Sequence, residues 1–492
     1  MTSALTPDPL PRPPSASLVW VVTAASLLPV VALFLIGRGN LLRLAIPTGA
    51  VLIGLVLYHR RPIGYLHFTL WTWFLTPLVR RLVDWRVGFE DHNLVLLAPF
   101  LVSVISGLTL LRERRLAGDL RLTPFFLCIA GILYGFGVGL IRWRLDASEG
   151  ASPGEIVYGL FAWLAPLLFG LHLYLRWSMY EEHKSAIQRS FFWAVLLLGG
   201  YGVCQFLAPP AWDKLWLEHM LSDVGVEAFG RPEPFQIRVW STLNSPGVFA
   251  NVLMTGLLLL FSVPSRIKPL AAAVGYSAFL LSLVRTSWLG WLVGLAVLAK
   301  SSKSSQIPRL LLSLILLPVL ISPLMLNPEI ATVVTDRLRT FQSTRQDVSF
   351  QDRTEEYRVL LTSLIADPFG EGLSNAETFH GYTMDSGIIM IVYNCGWIGA
   401  AFFLAGIALC ARSMPSGRDS ADPIAPVYRA VFVAMILELL SGNTLVGPSG
   451  AILWTCIGLG LSLHQAERIS SSPLQSIGPL APENQTTSAL VA

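Results

Sequence analysis

Long apolar runs constrain this chain more than any other feature. Residues 18–36 carry no charge, and comparable runs recur as far as residue 463. A bilayer core of about 30 Å is crossed by a helix of roughly 17 to 25 apolar residues. Inside lipid the backbone must satisfy its own hydrogen bonds, which a helix does within one segment. Charged residues make up 13% of the chain and hydrophobic residues 53%, with mean hydropathy +0.59. A soluble domain carries about 25% charged residues. The chain therefore reads as an all-α, polytopic helical membrane protein with twelve to fourteen transmembrane helices. The short alternating segments of an outer-membrane barrel do not dominate it.

Apolar length places spans at 18–36, 41–58, 63–82, 94–111, 122–141, 154–175, 189–207, 246–263, 269–284, 286–299, 307–326, 386–410, 425–441 and 446–463. Residues 269–299 carry a single charge, Arg285. As one helix they would extend about 46 Å, well beyond the bilayer core. Two short helices with Arg285 near the tip of a hairpin fit better. The basic clusters Arg266/Lys268 and Lys300/Lys303/Arg309 then share one side, and positive charge in short loops marks the cytoplasm. The expected organisation is a disordered cytoplasmic tail (1–17), transmembrane helices (18–326), a large periplasmic loop (327–385), C-terminal transmembrane helices (386–463) and a cytoplasmic tail (464–492). The first run lacks a small-residue cleavage site and reads as a retained helix rather than a removed signal peptide.

The five cysteines, Cys128, Cys204, Cys395, Cys410 and Cys456, lie in apolar runs and read as packing residues. The net charge of +4 is scattered over both faces and says little about partners; no nucleic-acid partner is expected. No P-loop, HExxH, Rossmann fingerprint or Asp-x-Asp triplet occurs, so no metal or cofactor is expected. Basic residues are mostly arginine, whose planar fork grips phosphate in a bidentate way.

Two outer loops are long. Residues 208–245 contain AWDKLWLEHM, whose aromatic and leucine spacing suggests a helix lying on the membrane interface. Residues 327–385 hold ten Asp/Glu, five Arg and His380. Within them, Tyr357, Leu360, Leu361, Leu364 and Ile365 have amphipathic helical spacing, and PFGEGLSN follows as a turn.

Several residues are candidates for chemistry. Arg238 precedes a helix expected to start at Pro246, with Asn244 and Ser245 as natural caps. A helix N-terminus offers free N–H groups to an anion. Arg285 lies inside an apolar run, where a charge usually faces a cavity and serves a function. Glu438 is the one carboxylate in a late span and either relays a proton, pairs with an arginine or reaches the interface at its helix end. Asp385, at the loop-to-helix boundary, and His380 are candidate general bases, although Asp385-Ser386 also suits a helix cap. Arg353 and Arg358 complete an anion site or pair with Glu355 and Glu356 along their helix.

In order, RVWSTLNSPGVFA, SLVRTSWLGWLVG, RTEEYRVLLTSLIADPFGEGLSN and DSGIIMIVYNCGWIGAAFFLAG resemble segments of the O-antigen ligase and Wzy-type polymerase superfamily of bacterial membrane glycosyltransferases. The resemblance spans residues 190 to 463. It implies a GT-C-like arrangement in the bacterial inner membrane with the active face periplasmic, a glycan donor on a polyprenyl diphosphate carrier, a lipid-linked glycan or lipid A core acceptor, and metal-independent transfer. Chain-length regulators or export proteins are implied partners. The ligases carry His-Asn where this chain has Asp385-Ser386, which favours a polymerase of O-antigen or exopolysaccharide repeats over a ligase. A transporter or lipid flippase is the alternative of another class.

Overall fold

The computed structural model describes residues 16–301, apart from 92, 114–119, 146–150 and 225–228, and residues 368–470, apart from 374–377, 380–381, 384–385, 416, 418–419 and 421. Between 302 and 367 it describes a few isolated positions. Turns and loops aside, the described residues are helical, with one pair of two-residue strands, β1 (Thr378–Phe379) and β2 (Tyr382–Thr383), joined antiparallel, and an isolated bridge between Gly230 and Ile237. Among the described residues, seven helical segments are long and apolar enough to cross a membrane. The predicted span 307–326 and the predicted helix around Tyr357 lie outside the described residues.

The helices follow the apolar runs. They are α1 (Ala16–Ile36), α2 (Gly39–Arg60), α3 (Pro62–Val87), the short α4 (Ala98–Val104) and α5 (Leu108–Arg112), α6 (Thr123–Leu145), α7 (Pro153–Leu175) and α8 (Tyr180–Leu207). Beyond these come α9 (Ala211–Val224), α10 (Pro246–Leu259), α11 (Lys268–Leu281), α12 (Arg285–Ser301), α13 (Gly387–Ser413), α14 (Ala425–Glu438) and α15 (Gly447–Ser470). The last helix runs past the expected span end into the segment read as a tail. Cys128, Cys395, Cys410 and Cys456 are buried in the bundle, whereas Cys204 is exposed on its surface.

The break predicted around Arg285 is present. Leu283 adopts φ +55°, a left-handed conformation that ends α11 before α12 begins. Trp288 Nε1 donates to the Phe279 carbonyl at 3.3 Å, and Tyr276 meets Trp291 edge to face with ring centroids 5.3 Å apart. Both pairs are centred on the break, as in a hairpin. Its arms then diverge, α11 onto α8 and α12 onto α14.

Contacts assign the loops to two ends of the bundle. At one end α9 meets the end of α3, and Arg142 at the end of α6 ion-pairs with Glu371 at 3.2 Å. At the other end Arg121 meets Gln465, Lys184 meets Asp422, and Gln188 meets Ser262. The 208–245 and 368–373 segments therefore share an end, as span parity required. Helix α9 departs from expectation. Its Trp216 and Leu217 are buried against Ile237 and Trp240 of its own loop, so its apolar face covers protein rather than lipid.

The PFGEGL turn is wedged between α6 and α13. Gly370 and Gly372 have φ +84° and +88°, and Gly396, at φ +60°, interrupts α13 where the turn docks. Glu371 N donates to the Tyr393 carbonyl at 2.8 Å and Leu373 N to the Gly135 carbonyl at 3.0 Å. A Cβ on Gly372 would lie 2.3 Å from the backbone of Gly139. Gly372→Ala is expected to cost at least about 2 kcal/mol, from overpacking and left-handed strain together. A thermal melt of the purified protein measures it, with Gly137→Ala, where a Cβ meets nothing within 4 Å, as the neutral comparison.

Candidate functional site

The segment between Arg238 and Pro246 is clamped from below by a residue that sequence reasoning passed over. Arg81, near the end of α3, is fully buried. Its Nη1 and Nη2 donate to the carbonyls of Leu243 and Ser241, both at 2.5 Å. Its Nε lies 3.0 Å from Oδ1 of Asp213, which is also fully buried. That contact is an ion pair whose N–H is not aligned as a hydrogen bond. The other Asp213 oxygen accepts from Tyr201 at 2.8 Å and from Gln205 at 2.7 Å. Gln205 in turn accepts from the backbone N–H of Ser241 at 2.8 Å. Ser241 is held at φ +55°, and its hydroxyl donates to the Leu198 carbonyl at 2.6 Å. Thr242 donates to the Phe74 carbonyl at 2.7 Å. These bonds hold the backbone of residues 241–243 in one arrangement, because hydrogen bonds in low-dielectric surroundings reinforce one another.

The clamp brings two distant parts of the sequence together. Val239 N donates to the Leu281 carbonyl at 3.1 Å, and Arg238 Nη2 approaches the Leu283 carbonyl at 3.4 Å. Arg238 thus reaches the break in front of α12, two residues before Arg285. Both arginines are half-buried. Arg285 is the first residue of α12. Ser245 caps α10 as expected, its hydroxyl accepting from Val248 N at 3.1 Å, with Pro246 in the first turn. Asn244 does not cap; its Oδ1 is buried with no hydrogen-bond partner among the described residues.

More helix starts meet at this mouth. One turn inside α10, Asn251 Nδ2 donates to Ser449 in the first turn of α15 at 3.3 Å, and Asn251 Oδ1 accepts from Ser287 in the first turn of α12 at 3.2 Å. Ser386 precedes α13, yet its hydroxyl donates to the Leu439 carbonyl at 3.2 Å rather than capping its own helix. This corrects the capping reading of that serine. The N-termini of α10, α12, α13 and α15 and the C-terminus of α14 therefore surround one polar zone. First-turn N–H groups and the helix dipole make such a zone favourable to anions.

Glu438 is the last residue of α14, so it is not deep in its span. It is nonetheless only 4% exposed. Its carboxyl turns inward beside Ser287 and Thr286 instead of reaching the interface. Glu90 ion-pairs with Arg43, which also donates to the Gly88 carbonyl at 2.6 Å. Asp385, His380 and Arg353 lie outside the described residues. Arg358 is an isolated described position whose carbonyl accepts from Thr362 at 2.8 Å.

Neither the models of known protein families nor the curated proteins include a match to this chain. The functional reading rests on the residues themselves.

Proposed function

We propose that this protein is a membrane glycosyltransferase that polymerises oligosaccharide repeat units carried on a polyprenyl diphosphate. The observation that carries the proposal is the stitching of residues 238–239 to 281–283, which sets Arg238 and Arg285 at one mouth among helix N-termini. Breaking a sugar–diphosphate bond develops negative charge on the leaving phosphate. Fixed cations and oriented N–H groups stabilise such charge without reorganising. Two guanidinium groups also match the bidentate geometry of phosphate oxygens. Asn244 and Ser245 stand at the start of α10, where a phosphate would meet its N-terminus. The Asp385-Ser386 pair, in place of His-Asn, favours repeat-unit polymerisation over ligation to lipid A core.

The location proposed is the bacterial inner membrane with the mouth periplasmic. In a cysteine-free background, Arg231→Cys, an exposed position at the mouth end, is expected to react with an impermeant reagent once the outer membrane is opened. Glu182→Cys, exposed at the opposite end, is expected to react only after lysis. The reverse pattern would invert the orientation.

A transporter reading has one observation in its favour. Transport sites are commonly built from discontinuous helices whose half-helix N-termini face the substrate, and both the α11–α12 break and the Gly396 interruption of α13 have that form. Reconstituted protein supplied with polyprenyl-diphosphate repeat units on one side of a vesicle separates the two. Glycans longer than the supplied unit support the polymerase. Translocation of unaltered units, with no elongation, supports the transporter.

A further inference from the structure

Glu438 has an unusual setting for a carboxylate in a membrane bundle. Its side chain is buried, and among the described residues its Oε1 has no hydrogen-bond partner. No cation lies within ion-pair distance among the described residues. Burying an unpaired carboxylate is costly, so a purely structural role would be better served by an apolar side chain. The side chains of Thr286 and Ser287, in the first turn of α12, lie beside the carboxyl. Ser287 directs its hydrogen to Asn251 Oδ1, which leaves Oε1 without a donor from it. Gly290, one turn on, has no side chain to cover that oxygen; a Cβ there would stand 3.1 Å from Oε1. Oε1 is thus a buried proton-accepting oxygen with no donor of its own, beside the residues that follow Arg285.

We propose that Glu438 takes up the proton that the acceptor hydroxyl loses as the glycosidic bond forms, a role that rests on the glycosyltransferase reading. In that step the acceptor O–H bond breaks and its oxygen bonds to the anomeric carbon of the donor. The bond from that carbon to the diphosphate oxygen breaks with its electron pair remaining on the phosphate, between Arg238 and Arg285. The proton passes to Oε1 of Glu438 and leaves to solvent through the mouth before the next turnover. The ligand of the site is therefore a sugar hydroxyl, and the donor diphosphate stays with the arginines.

The test uses full-length protein reconstituted with synthetic polyprenyl-diphosphate repeat units. Glu438→Gln is expected to lower kcat by about 10²–10⁴-fold with KM and diphosphate binding unchanged. Glu438→Asp keeps the carboxylate and is expected to retain more activity than the glutamine variant. Gly290→Ala crowds Oε1 and, at 2.9 Å, Met254 Sδ as well, and is expected to give an intermediate loss; Glu438→Asp decides the matter if Glu438→Gln fails to fold. Active wild type with either Glu438→Gln or Gly290→Ala at the wild-type rate overturns the proposal alone. Loss of diphosphate binding in Glu438→Gln also overturns it, because the defect would then be in the donor site. Wild-type protein that forms no polymer overturns the glycosyltransferase reading and this proposal with it.

Discussion

Arg285→Ala is expected to lower the rate of polymer formation by about 10²–10³-fold, the loss seen when one fixed stabiliser of developing negative charge is removed. The protein should still insert and melt close to wild type, because Arg285 is only half-buried, at the start of a helix. Arg285→Lys is expected to recover little, since an ammonium group keeps the charge but loses the two-pronged fork. The same pair of changes at Arg238 should behave alike, as its guanidinium reaches the Leu283 carbonyl in the break before Arg285. Polymer length and yield from cells carrying each variant, normalised to membrane protein, measure the effect. Near-normal polymer in Arg285→Ala would reduce that residue to an arginine at the membrane surface.

Arg81→Ala is expected to have the largest effect on stability, about 3–5 kcal/mol, because it leaves Asp213 buried without its cation. It also frees the carbonyls of Ser241 and Leu243. The double change Arg81→Met with Asp213→Leu removes both charges and is expected to regain much of the melting temperature. It should not regain activity, since nothing then holds residues 241–243 in place. Recovery of both stability and activity would show that the clamp does not position the mouth.

The sequence made the membrane bundle legible because apolar length and charge are local properties. The α11–α12 break followed from one arithmetic conflict between length and bilayer thickness, and Leu283 is where it occurs. The cap at Ser245 was legible because a Ser-Pro pair before an apolar run has one common meaning. The clamp was not legible. Arg81 and Asp213 are 132 positions apart in the chain, and neither motif nor period links them; an arginine inside the 63–82 run was the available signal. Helix α9 misled for a related reason: an amphipathic pattern shows that a face is covered without showing what covers it. Ser386 looked like a cap because its own neighbourhood allowed it, whereas a carbonyl at the end of α14 had the stronger claim.

The central claim is that the mouth holding Arg238 and Arg285 binds a lipid-linked diphosphate. Its most direct test is the affinity of the purified full-length protein for a polyprenyl diphosphate and for the uncharged polyprenol of the same length. Wild type is expected to prefer the diphosphate, and the Arg238→Ala/Arg285→Ala double variant to lose at least about 10²-fold in diphosphate affinity while binding the alcohol as before, given about 1.5–3 kcal/mol for each charged hydrogen bond. A double variant that binds the diphosphate as tightly as wild type would contradict the account.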